Sequence, residues 1–131
     1  MERANRNITT TILLSLFALY FIVLFQITIF RDSNFGIRRT NLIPFTTVAE
    51  YLWSILGGYI FTGIANIAGN IIIFLPLGFM TAVLFPKMRK LTKIFILGFT
   101  FSLVIEVFQY VVACGSADID DVILNTLGGV A

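Results

Sequence analysis

Nineteen consecutive positions, residues 12–30, carry no charged side chain. As a helix, such a run rises about 1.5 Å per residue and can cross about 30 Å of hydrocarbon. Residues 64–85 repeat the feature over twenty-two positions, and residues 94–113 are charge-free but for Glu106. Three such runs in 131 residues leave little chain for anything but a membrane domain. With 58% hydrophobic and 12% charged residues, the sequence also lacks the polar shell that a water-soluble core of this length requires. All nine basic and six of the seven acidic side chains lie outside the runs instead.

The first run follows Arg3 and Arg6, as the apolar part of a signal peptide would. It exceeds the roughly 7–15 residues of such a part, and no small-residue cleavage site follows, so it reads as a first span. Residues 31–47 form a polar loop containing Arg31, Asp32, Arg38, Arg39 and Pro44. Residues 48–63 combine Glu50 with Tyr51, Trp53, Tyr59, Phe61 and the pair Gly57–Gly58. Aromatic rings with a polar atom favour the headgroup level, so this stretch is expected to be an amphipathic, interfacial segment. The second span, 64–85, contains Asn66, Asn70 and Pro76, with a kink expected at the proline. Residues 86–93 hold four of the nine cations, residues 114–121 hold three acids, and a last apolar run covers 122–131. Ten helical residues reach about 15 Å, half a bilayer, so this fourth span is expected to be truncated. The expected fold is an all-α integral membrane protein: one domain over residues 1–131, a small bundle of about four transmembrane helices and an interfacial segment.

A Lys/Arg excess marks the cytoplasmic side of a membrane protein. Placing residues 86–93 and the N-terminal tail inside gives six cations there against three outside, in a multi-pass protein of the cell membrane. The 31–47 loop and the acidic 114–121 loop then share the outer face. The absence of His and the single Cys114 exclude a disulfide framework and any catalysis with an imidazole base, and they speak against a zinc site. A net charge of +2, scattered along the chain, does not point to a nucleic-acid partner.

An acid inside a span costs at least about 2.5–3.5 kcal/mol to insert and marks a functional site by default. Glu106 is that acid, with Gln109 and Tyr110 at i+3 and i+4 on the same helical face. Its bland reading is a protonated acid bonded to a backbone carbonyl. Asn66 and Asn70 are likewise four apart, with Phe74 next on the stripe, and buried amides of this kind commonly bond a neighbouring helix. Asp118, Asp120 and Asp121 lead into the last run, where one aspartate suffices to cap a helix. Asp121 and Asn125 share the inward continuation of that helix. Such oxygen ligands suit Mg²⁺ or Ca²⁺, but the pattern lacks the Gly and Glu of a calcium loop, and no metal or other cofactor is assigned. Gly128 and Gly129 read as small residues that let helices approach closely.

Four motifs in one order resemble the VanZ-like family of bacterial membrane proteins: Asn41-Leu-Ile-Pro-Phe45; Asn66-x-x-Gly69-Asn70-x-x-x-Phe74-x-Pro76-x-Gly78-Phe79; Glu106-x-x-Gln109; and Asp118-Ile-Asp120-Asp121-x-x-x-Asn125-Thr126-x-Gly128. They cover about residues 41–129. The resemblance implies a small polytopic inner-membrane protein, and some members of the family confer low-level resistance to the glycopeptide teicoplanin. The family usually carries an Arg three residues before the first Asp of the last motif, where this chain has Gly115; Arg38 or Arg39 would have to replace it.

Three functions from different classes follow. The first is a non-enzymatic envelope protein that binds a lipid-linked cell-wall precursor or a lipoglycopeptide in an outward polar cleft. Its ligand-binding residues would be Arg38, Arg39, Asn66, Asn70, Glu106, Gln109, Asp118, Asp121 and Asn125, the arginines meeting phosphate or carboxylate. The second is a membrane enzyme acting on a lipid phosphate, with the three aspartates holding a divalent metal and Glu106 as acid or base. A small carrier is a third, which would require oligomerisation to enclose a path. With neither His nor an activated nucleophile, the sequence leans to the first and leaves catalysis open.

Overall fold

The computed structural model describes residues 2–30, 39–112 and 115–131, with the side chains of residues 2–6, 29, 30 and 39 outside that description. In chain order the elements are α1 (Glu2–Phe30), β1 (Arg39–Asn41), α2 (Thr46–Leu56), α3 (Ile60–Leu84), a 3₁₀ turn at Pro86–Met88, α4 (Leu91–Val112), β2 (Ser116–Asp118) and α5 (Ile119–Val130). Three of the helices have stretches long and apolar enough to cross a membrane: Asn7–Thr28, Ile60–Leu84 and Leu91–Val112. Together with α5 they make the all-helical membrane bundle that the charge-free runs predict.

The differences lie between the runs. Residues 39–41 are not loop but a strand that pairs in parallel with residues 116–118, Asn41 opposite Asp118. The pairing brings the two polar connections to one end of the bundle. The interfacial segment is shorter than expected: α2 ends at Leu56, and the turn through Gly58, whose φ of 94° suits a residue without a side chain, starts α3 at Ile60. The helix α3 continues through Pro76. A proline disturbs the carbonyls one turn before it, and the Tyr20 hydroxyl donates to the Ile73 carbonyl at 2.8 Å.

In lipid no hydrophobic force drives apolar helices together, so close van der Waals packing has to hold them. Most large apolar side chains accordingly face outward, and the buried apolar cluster is small: Leu24, Phe74, Leu77 and Ile105, flanked by Phe21 and Phe101. Glycines make the tightest contacts. A β-carbon on Gly78 would stand 1.8 Å from the Gly129 carbonyl oxygen, and one on Gly128 would stand 2.1 Å from that of Ile71. The helices α3 and α5 therefore touch backbone to backbone, as Gly128 and Gly129 suggest in the sequence. On the other side of α5, Gly98 of α4 faces Thr126. The helix α1 is held more lightly, with 11% of its apolar window buried.

Candidate functional site

At the end where β1 and β2 pair, the acidic connection is bound into the fold one carboxylate at a time. Asp118 ends β2 and caps α5, accepting from the Asp120 N–H at 2.9 Å. The same carboxylate accepts from Asn41 Nδ2 at 3.1 Å and from the Thr47 hydroxyl at 2.5 Å. Asn41 Oδ1 in turn accepts from the Ile43 N–H at 3.2 Å and closes the turn at the start of the Asn41–Phe45 motif. Asp120, fully buried, reaches away from its own helix. It accepts from the backbone N–H groups of Phe45, at 2.5 Å, and Val48, at 3.1 Å. Those groups lie at the start of α2, so Asp120 is a helix cap supplied from 72 residues further along the chain.

Asp121 points elsewhere, accepting from Asn70 Nδ2 on α3. The three aspartates are thus divided among a cap on α5, a cap on α2 and a link to α3, and do not form a common metal cage. Among the described residues no group of three or more His, Cys, Asp or Glu is placed to hold a metal ion. Glu106 on α4 joins the same end of the bundle: its Oε2 accepts the Asp118 N–H at 2.8 Å.

Between these elements lies a cavity of about 230 Å³, room for several waters or a small polar group. Seven of the nine site residues expected from the sequence line it: Asn66 and Asn70 from α3, Glu106 and Gln109 from α4, Asp118, and Asp121 and Asn125 from α5. The other two are not among them: Arg38 and the side chain of Arg39 lie outside the described residues. Gly115 is buried. Tyr110 is exposed and does not line the cavity, because i+3 and i+4 fall on opposite sides of Glu106 on the helix.

The amides around the cavity are oriented by what they touch. Gln109 Nε2 donates to the Thr28 carbonyl at 2.9 Å, Asn66 Nδ2 to the Thr62 carbonyl at 2.8 Å, and Asn125 Nδ2 to the Ser102 hydroxyl at 2.8 Å. Gln109 Oε1 and Asn125 Oδ1 are buried with no hydrogen-bond partner among the described residues. Each such oxygen costs about 1–3 kcal/mol if left unmatched. Thr28, Tyr51 and Ser116 complete the polar lining and were not expected from the sequence. The buried Ser102 had a signal, since positions 102, 106 and 109 follow the helical spacing of one face. Tyr51 had none, because its place depends on how Asp120 docks α2.

A bundle of apolar helices closed at one end by a hydrogen-bonded polar cluster defines a small polytopic membrane protein with a polar cavity at that end. The sequence matches the VanZ/LLP1 family over residues 11–131, and the chain belongs to that family. It is similar to Protein VanZ of Enterococcus faecium, at 34% identity over 121 residues, which cover 87% of this chain and 66% of that protein. The chain therefore spans just under two thirds of that relative. No solved structure matches it.

Proposed function

We propose that this protein contributes to glycopeptide resistance of the teicoplanin type by binding a lipid-linked cell-wall precursor or a lipoglycopeptide in the polar cavity. The observation that carries the reading is the convergence, on one cavity, of polar side chains from α3, α4 and α5 that are individually costly inside a membrane. Two buried amide oxygens, on Gln109 and Asn125, have no hydrogen-bond partner among the described residues. The family membership and the resemblance to Protein VanZ support the biological setting.

The variants Glu106→Gln and Asp121→Asn keep shape and most hydrogen bonds while removing charge. A structural cluster should tolerate them within the 0.5–3 kcal/mol usual for point mutants. The expected result is loss of the teicoplanin-resistance increment in expressing cells, with membrane abundance unchanged. Retained resistance, or loss only in step with abundance, would make the cluster packing.

The orientation proposed for this reading puts the N-terminus and residues 86–93 in the cytoplasm and the cavity end outside, following the six-to-three cation count. With Cys114 replaced by Ser, a membrane-impermeant thiol reagent on intact cells should label a cysteine at Asn34 and spare one at Met88. The opposite pattern reverses the orientation.

A further inference from the structure

The turn between β1 and α2 combines two features that contact with water does not explain. Its apolar side chains face outward: Leu42 is 75% exposed, Ile43 70% and Phe45 63%. Its backbone donors are nonetheless matched within the protein. The Ile43 N–H donates to Asn41 Oδ1, those of Phe45 and Val48 to Asp120, and that of Thr46 to the Ile43 carbonyl, while Pro44 has no N–H to match. Phe45 takes part in a left-handed conformation, φ 67°, that is rare for a residue with a side chain. A turn in water can leave its donors to the solvent. One in hydrocarbon has to match them itself, and there apolar side chains are the ones that can face outward.

The partners of the turn fix its depth. Asp118, which binds Asn41 and Thr47, donates its N–H to Glu106, six positions before α4 ends at Val112. Asp121, next to the Asp120 that binds Phe45 and Val48, is joined to Asn70, ten positions after α3 starts at Ile60. At about 1.5 Å per residue, these levels lie about 9 and about 15 Å inside the two helix ends. Both helices are long and apolar enough to cross a membrane. The strands β1 and β2 run side by side in one direction and finish at this layer, Asn41 opposite Asp118. The helix α2 then climbs back along α3, because its Tyr51 carbonyl and Ile55 side chain meet Gly63, three positions from the start of α3. The exposed Glu50, beside Tyr51, therefore falls near the helix end, where its side chain can reach the headgroups.

We propose that residues 41–56 form a re-entrant segment: the chain enters the leaflet on the cavity side, turns at residues 42–45 and returns as α2, with Leu42, Ile43 and Phe45 against lipid acyl chains. Asn41 and Asp120 make irregular backbone admissible at that depth by matching its donors. This placement is independent of what binds in the cavity.

Trp53, on α2 and 71% exposed, is the single tryptophan of the chain and a built-in marker of the headgroup level. The test compares it with a tryptophan moved to the turn, as Leu42→Trp or Ile43→Trp, each in a Trp53→Phe background. The full chain is placed in phosphatidylcholine nanodiscs brominated either near the headgroup or deep in the acyl chain. Fluorescence quenching in the moved variants should be at least about twofold stronger from the deep bromines than from the shallow ones, with little quenching by iodide in the buffer. Trp53 itself should show the reverse order of bromines. Both new positions are open, so the larger ring has room, and heat denaturation matching that of Trp53→Phe alone identifies a folded variant; either one suffices. Quenching by iodide as strong as that of a free tryptophan amide would put the turn in water and overturn the proposal. Stronger quenching by the shallow bromines would place the turn at the headgroups, and quenching by no probe would mean that another protein surface covers it; each of these also overturns the proposal.

Discussion

Replacing Gly78 by alanine is expected to abolish the folded protein, although the added group is a single methyl. The β-carbon would stand 1.8 Å from the Gly129 carbonyl oxygen and 2.8 Å from its carbon, both backbone atoms that no rotamer change can move. The helices α3 and α5 would have to separate by more than an ångström, and with them the hydrogen bond between Asn70 and Asp121. Overpacking ordinarily costs about 1–3 kcal/mol, and more where backbone must shift, so a loss of about 3 kcal/mol or more is expected. Gly69 is the internal control. It lies nine positions earlier on the same helix, and nothing stands within 4 Å of a β-carbon placed there. Gly69→Ala should be neutral or stabilising by up to about 1 kcal/mol, the helix-propensity difference. Heat denaturation in detergent and membrane abundance give the comparison. Equal tolerance of both substitutions would mean that α3 and α5 do not touch as described.

The pair also shows which parts of the fold are legible in the sequence. The spans can be read because lipid excludes charge, so each run ends where Arg, Lys or Asp begins. Glu106, Gln109, Asn66, Asn70, Asp121 and Asn125 can be read because a polar side chain in hydrocarbon is costly and needs a reason. Pairing of Arg39–Asn41 with Ser116–Asp118 cannot be read that way. Three residues are too few to show a strand period, and their partners lie 77 positions apart, across three helices. The rotation of α4 is half legible: Gln109 and Tyr110 both neighbour Glu106 on a helical wheel, and only packing against α1 and α5 turns the first inward and leaves the second exposed. Within the acidic motif the residue types announce a cap without saying of which helix.

That last ambiguity carries the second large effect. Asp120→Ala is expected to destabilise the protein by about 3 kcal/mol or more, because it strands two backbone donors at about 1–3 kcal/mol each and removes an anion from a helix N-terminus. A cap on its own helix would give a smaller loss, about 1 kcal/mol, and would leave α2 in place. The two cases separate through a cysteine at Ala49, half-buried in α2. With Asp120 acting on the Phe45 and Val48 N–H groups, its loss frees α2, and the Ala49→Cys thiol becomes several-fold more reactive before the rest of the bundle unfolds. Asp120→Asn retains one acceptor oxygen and should fall between wild type and alanine. Because Tyr51 on α2 lines the cavity, the released helix also removes one wall of the site. Under the function proposed above, resistance should therefore drop in Asp120→Ala even at a temperature where the protein is still abundant. An Asp120→Ala protein with wild-type stability and an unreactive Ala49→Cys would show that α2 is held by the close approach of its Tyr51 carbonyl and Ile55 side chain to Gly63 of α3, and not by the carboxylate.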